Sequence, residues 1–182
     1  YAHQSGDGNH DPAFDLNATI TVHPRDLAVF ADAASRPYGQ SNPPLTVHYG
    51  AFAYDDNASS LGAQPYAYTA ATASSPTGTY EVNATGGASP DYHFVYHGSI
   101  LAVGTSDQSI TGFAPDLNAT YGDLPLDLNA SATSGLTVDY SSSNPDVLEV
   151  NGTRLEIRGA GQATIYAHQS GDGNHDPAFD LN

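Results

Sequence analysis

An all-β fold, with tandem Ig-like antiparallel β-sandwiches strung end to end, is what this sequence predicts, and three observations predict it. Strand and turn formers dominate the 182 residues, with 12 Tyr, 18 Gly and 12 Pro, while the long Ala, Leu, Glu, Lys or Arg runs that feed helices are missing. Apolar and polar residues alternate with a period of two in several segments. A long stretch of sequence also recurs unchanged, the mark of a repeat array whose units touch mainly their neighbours. Hydrophobic residues make up 39% of the chain, enough for packed cores in two modules of roughly 80 residues each.

The repeat sets the organisation. Residues 1–17, YAHQSGDGNHDPAFDLN, return as residues 166–182. From Tyr1 to Tyr166 the offset is 165 residues, which defines the period. Residues 1–23 are therefore read as the C-terminal strand region of a preceding Ig-like module. Its last strand is Leu16-Asn17-Ala18-Thr19-Ile20-Thr21-Val22, with apolar residues expected to turn inward. Residues 24–104 form a first module and 105–182 a second, whose last strand lies in the next repeat.

Within the first module, Tyr80, Val82 and Ala84 share one strand face while Glu81 and Asn83 share the other. Pro43-Pro44 and Gly86-Gly87 are read as loops or turns. Within the second, Leu136, Val138 and Tyr140 point one way, and Leu155 and Ile157 alternate with Arg154, Glu156 and Arg158. Asn151-Gly152 between two such runs is read as a type I′ hairpin turn, and Asn144-Pro145 as another turn.

Charge narrows the function classes. Twenty acidic residues face four arginines (Arg25, Arg36, Arg154, Arg158) and no lysine, a net charge of −16. Such a polyanion repels nucleic acid and anionic membranes. Without lysine, Lys–Asn isopeptide cross-links cannot form, and without cysteine neither can disulfides. No stretch has the length and apolarity of a membrane span. Nothing resembles a nucleophile elbow or a paired-carboxylate cleft, so the expectation is a protein that is not an enzyme.

Residues 36–103 resemble the MBG module of bacterial surface adhesins. The resemblance rests on Tyr38-Gly39, Ser41-Asn42-Pro43, Leu45-Thr46, Tyr49, Gly50-Ala51-Phe52, Ser75-Pro76, Gly78-Thr79-Tyr80, Gly86-Gly87, Asp91-Tyr92 and Gly98-Ser99-Ile100-Leu101-Ala102-Val103. Asp91 and Ala102 depart from the usual pattern. The second module is similar to a bacterial Ig-like domain often found beside MBG modules. Its landmarks are Thr120-Tyr121-Gly122-Asp123, Ala132 to Leu136, Tyr140 to Pro145 and Gly159 to Ile165. These resemblances imply extracellular spacer repeats of a cell-surface adhesin, in a stalk or fibre, without catalytic residues. The partners they imply are neighbouring repeats of the same chain, other fibres, or host and environmental glycans.

The distinctive chemistry lies in the asparagines. Asn17, Asn57, Asn83, Asn118, Asn129 and Asn151 each open an Asn-X-Ser/Thr acceptor for N-linked glycan. Each follows an acid two positions earlier: Asp15, Asp55, Glu81, Asp116, Asp127 and Glu149. Acid-X-Asn-X-Ser/Thr resembles the extended acceptor of bacterial oligosaccharyltransferases. Composition alone predicts well under one complete site. Asn182, after Asp180, repeats the Asn17 position and joins the set in the next copy. Positions −2, 0 and +2 have the spacing of one strand face, so a strand can offer the amide to solvent while its other face packs. Attached sugar would add solubility and cover sheet edges.

Two weaker patterns remain. Asp7, Asn9 and Asp11, repeated as Asp172, Asn174 and Asp176, have the alternate spacing of a calcium loop. Pro12 stands where such loops want glycine and no glutamate closes the loop, so a plain solvated loop is the competing reading. Eight histidines include His93 and His97, four apart in a hairpin pattern that gives no shared helical face for zinc. Tyrosines are a possible platform for sugar stacking, although many fall at inward strand positions.

Overall fold

The computed structural model describes residues 2–113 and 118–181. The described residues are all-β, with one short 3-10 turn at Ala58–Ser60 and no α-helix. Asp116 and Asn182 lie outside the described residues.

Seven strands build residues 25–104: β1 Arg25–Ala31, β2 Ala34–Pro37, β3 Val47–Tyr49, β4 Ala63–Thr69, β5 Gly78–Ala88, β6 Tyr92–His97 and β7 Ser99–Gly104. They form two sheets, ordered β3-β1-β6 and β2-β7-β5-β4. The strand pattern explains why they stack. Leu27, Val29 and Ala31 of β1, Val82 and Ala84 of β5, and Leu101 and Val103 of β7 are all buried at alternate positions. Val29, Ala31, Val82, Ala84, Leu101 and Val103 share one core, against which Tyr80 packs. The inward face read for Tyr80, Val82 and Ala84 is thus the face the fold uses.

Pairing is mixed rather than antiparallel throughout. β1 runs parallel to β6, and β2 runs parallel to β7. The reason lies at Asp32-Ala33, where the chain leaves one sheet and enters the other. Asp32 holds that corner, accepting from the Thr46 hydroxyl at 2.5 Å and pairing with His48 Nδ1 at 2.6 Å.

Gly86-Gly87 is not a turn. Both glycines lie within β5, with φ of 77° and 83°. A Cβ on Gly86 would come within 2.8 Å of the Tyr66 ring, and one on Gly87 within 2.8 Å of Pro65 and 2.9 Å of Phe94. The pair is there because neighbouring side chains lie directly on the backbone.

Residues beyond 104 contribute β8 Ile110–Thr111, β9 Leu126–Asp127, β10 Ser131–Ala132, β11 Asp139–Ser142, β12 Leu148–Asn151, β13 Arg154–Ile157 and β14 Ile165–His168. Their sheets are β10-β8, β11-β14 and β12-β13-β9. Two adjoining cores form, one around Ile110, Ala132, Val138 and Ala167, the other around Leu128, Leu155 and Ile165; Phe113 and Tyr140 pack against both. The hairpin β12–β13 closes on the pair Asn151 and Arg154, so its central residues are Gly152-Thr153, not Asn151-Gly152. Gly152 has φ 63° and Thr153 has no positive φ, the type II′ pattern rather than type I′.

The repeated segment folds the same way in both copies. Ala2 bridges Leu16 as Ala167 bridges Leu181, and Asp7 accepts from Asn9 as Asp172 accepts from Asn174. Their surroundings differ. Ala167 and Ala178 are buried, whereas Ala2 and Ala13 are exposed. Leu16, Ile20 and Val22 are 72%, 84% and 86% exposed, and residues 17–24 join no strand. The inward turn expected of Leu16 and Ile20 is therefore absent here, because among the described residues no sheet lies beside them.

Candidate glycan-acceptor sites and the junction loop

The acceptor asparagines fall into distinct local settings. Asn83 sits in β5 between buried Val82 and Ala84, with Glu81 and Thr85 on its own face. Among the described residues its amide makes no side-chain hydrogen bond. Tyr68, half exposed, is its direct partner across β4. Asn129 lies between β9 and β10, exposed, with Asp127 and Ser131 exposed on the same side and Leu128 and Ala132 buried on the other. Asn83 matches the strand-face geometry, and Asn129 keeps its alternation of exposed and buried residues without lying in a strand.

The others do not. Asn57 caps the 3-10 turn, its Oδ1 accepting from Ser59 N at 3.0 Å and from the Ser59 hydroxyl at 2.6 Å. Polar side chains compete for local backbone at such caps, which is why a turn replaces the strand. Asn151 ends β12, and its +2 residue Thr153 is in the hairpin turn. The acid before it, Glu149, is tied to Arg158 at 2.5 Å, and this contact holds the Arg158 pKa above its ordinary value. Asn17 and Asn118 are exposed outside strands. All but Asn83, which is half-buried, are exposed among the described acceptors.

The loop read as a calcium candidate is engaged otherwise. Asp172 Oδ1 accepts from the backbone of Asn174 and of His175, and pairs with His175 Nδ1, each at 2.8 Å. Led by the Asn174 backbone bond, these contacts hold the Asp172 carboxyl below the usual range. Asp7 repeats the pattern with Asn9 and His10, again with its carboxyl lowered chiefly by the backbone bond. Asp11 is exposed, and Asp176 takes part through its backbone N–H, given to Ser106 O at 3.0 Å. No group of three metal-ligating side chains occurs among the described residues.

That loop joins the two halves of the chain. Asn174 Oδ1 accepts from Thr77 N at 3.0 Å, and the Thr77 hydroxyl donates to Gly173 O at 2.6 Å. Ser106 N donates to Asn174 O at 3.0 Å. His175 meets the Tyr38 ring edge-on at 5.3 Å between centroids. Beneath it, buried Gln169 accepts from Gln108 at 2.5 Å, and Gln108 also donates to Asp176 O at 2.6 Å. Sequence reading missed Thr77, Gln108 and Gln169. Gln169 carried a signal, since it continues the inward series Ile165, Ala167 with a polar residue.

Most of the histidines pair with a carboxylate or stack on a ring. His93 pairs with Asp26 at 2.8 Å, and His168 with Asp180 at 2.5 Å. Phe30 is stacked between His48 and His97, at 5.0 and 4.6 Å.

These strands and the turn at Tyr38-Gly39 define a β-sandwich module with a covalently continuous all-β neighbour. Tyr38 N is held by Gly104 O at 2.8 Å, and Gly39 adopts φ 81°. Residues 27–102 match the family model described as MBG domain (YGX type), so this segment is an MBG module, with Tyr38-Gly39-Gln40 standing at its Tyr-Gly-X turn. Neither the comparison with curated proteins nor that with solved structures gives a match. No helix among the described residues is long and apolar enough to cross a membrane.

Proposed function

We propose that the chain is a structural spacer of an extracellular adhesin, a stalk or fibre of tandem β-sandwich repeats that carries N-linked glycan and no catalytic site. The observation that carries the spacer role is the junction loop. Hydrogen bonds from Thr77 to residues 173–174, with the Tyr38–His175 ring contact, tie the MBG module to its neighbour, which is what a load-bearing rod needs and a flexible tether lacks. The MBG match supports a surface location. The half-buried Asn83 on its strand face and the exposed Asn129, each flanked by buried residues, support the glycan. Glycopeptide mass spectrometry across Asn83 and Asn129, on protein taken from its natural source, tests this half. Unmodified asparagine at both sites removes it.

A second reading, a carbohydrate-binding module, is favoured by one observation. Tyr66 and Tyr68 are both exposed at alternate positions of β4, Tyr68 directly opposite Asn83, and exposed aromatic rings are the groups sugars stack on. Glycan-array binding by the unglycosylated chain, abolished by Tyr68→Ala, separates it from the spacer role.

A further inference from the structure

Asn83 stands among exposed apolar side chains. Tyr68 of β4 lies directly opposite it, and two more sit diagonally: Tyr66, opposite Thr85, and Ile100 of β7, opposite Glu81. Tyr66, Tyr68 and Ile100 are all exposed, while Val82, Ala84 and Leu101 beside them in sequence or across the sheet are buried. The three therefore share the outer face of one sheet, β2-β7-β5-β4, with the acceptor in their midst. Single exposed hydrophobics are ordinary on a protein surface. Three gathered round one polar amide, in a chain of net charge −16, form a patch.

The amide is oriented within that patch. Val82 pairs with Ser99, which places Asn83 opposite Gly98. A Cβ on Gly98 would stand 3.3 Å from Asn83 Oδ1, so the amide oxygen occupies the space of a missing side chain. The nitrogen, on the other flank of the planar amide, is turned away from Gly98, toward the side of Tyr68. That nitrogen is the atom to which N-linked sugar is joined. Opposed Cβ atoms of an antiparallel pair are about 5 Å apart. A pyranose ring on the nitrogen and the phenol ring of Tyr68 therefore rise side by side from the sheet, and the C–H face of a sugar packs well on an aromatic face. Asn57 and Asn151 have no such neighbour: Asn57 caps the 3-10 turn, and Asn151 pairs with Arg154.

We propose that Tyr68, flanked by Tyr66 and Ile100, is the platform on which the first sugar of an Asn83-linked glycan lies. The proposal rests on the reading of Asn83 as a glycan acceptor and adds a consequence to it. The sugar becomes part of the module, covering the apolar patch and fastening edge strand β4 to β5. Removing that apolar area from water stabilises the folded MBG module.

The chain has no native cysteine, so a sugar can be installed at one chosen position of the full chain. Asn83→Cys is alkylated with the iodoacetamide derivative of N-acetylglucosamine. Asn129→Cys, exposed and outside any strand, takes the same label as a control. Asn83 is on the outer face, so its exchange leaves the core intact. The thioether linker is longer than the natural linkage and does not hold the sugar short of the ring. In proton NMR, sugar C–H resonances at position 83 should move upfield under the Tyr68 ring, and those at position 129 should not. Tyr68→Ala abolishes the shift and Tyr68→Phe keeps it. In urea melts, the sugar at position 83 should lower the unfolding constant about three- to tenfold, the size of one ring-stacking contact, and Tyr68→Ala should erase that gain. Unshifted sugar resonances at position 83, or a stability gain that survives Tyr68→Ala, overturns the proposal. Unmodified Asn83 in protein from its natural source is a separate result: it removes the glycan reading itself, and mass spectrometry detects it whatever Tyr68 does.

Discussion

Thr77 and Asn174 lie 97 positions apart in sequence and share a hydrogen bond of 3.0 Å between backbone N–H and side-chain oxygen. The bond crosses from the MBG module to the loop after β14, and the Thr77 hydroxyl doubles it through Gly173 O. Neither residue belongs to a hydrophobic core. Replacing Asn174 by Ala therefore loosens the junction without removing packing from either half. The expected loss is about 1 kcal/mol for a bond whose donor regains water. Small-angle scattering checks the consequence: Asn174→Ala broadens the distribution of inter-module distances, while the circular dichroism of the folded chain stays unchanged.

Acid should weaken the same junction. Asp172 is held below its ordinary pKa of 3.8 by the Asn174 backbone bond and then by His175. Asp32, at the corner between sheets, is lowered first by the Thr46 hydroxyl and then by His48. Because the folded pKa lies under the unfolded one, each carboxylate contributes its full stability above the unfolded value. That contribution is lost as pH falls through the folded value. Melting temperature should thus be insensitive to these groups above about pH 5 and fall steeply below about pH 4. Asp32→Asn and Asp172→Asn each flatten the acid limb of a thermal-melt series against pH.

Arg36 is a buried cation with no carboxylate partner among the described residues. It is 5% exposed, and Nε donates to Asn42 Oδ1 at 2.7 Å while the guanidinium also reaches the carbonyls of Pro37 and Thr72. Asn42 in turn donates to Ala71 O at 2.6 Å. Truncation to Ala strands several buried acceptors and costs roughly 2–4 kcal/mol. Lysine cannot reproduce the planar fork, so Arg36→Lys recovers only part of the loss. Urea melts of the two variants check the order, wild type above Lys above Ala.

How much was legible follows from which forces are local. Val82, Ala84, Val138 and Leu155 were readable as inward because period-two alternation is written into neighbouring residues, and all four are buried. The loop at 172–176 was not readable as a junction. Its partners Thr77 and Tyr38 are distant in sequence, and Asp-X-Asn-X-Asp spacing suggests calcium whatever the loop touches. The hairpin at Gly152-Thr153 was misplaced by one residue because Asn-Gly is a strong turn signal even when Asn closes the strand. For the asparagines, spacing alone fixed the acceptor but not its setting. Asn83 obtained a strand face and Asn129 an exposed position between two short strands, whereas Asn57 was diverted into a cap by Ser59 and Ser60.

Glycines with the same backbone twist should differ in tolerance, and two of them make a controlled pair. Gly87 has φ 83° and Gly152 has φ 63°, so alanine at either position meets the left-handed strain of roughly 1–2 kcal/mol. At Gly152 nothing lies within 4 Å of the added carbon, and that strain is the whole effect. At Gly87 the carbon would stand 2.8 Å from Pro65, a rigid ring, and 2.9 Å from Phe94, which packs against the MBG core. Neither neighbour yields without moving its strand. Gly87→Ala should therefore destabilise by about 2 kcal/mol more than Gly152→Ala. Chemical denaturation of the two variants measures the difference. Equal losses would show that the close approach of Pro65 and Phe94 contributes nothing to the requirement for glycine.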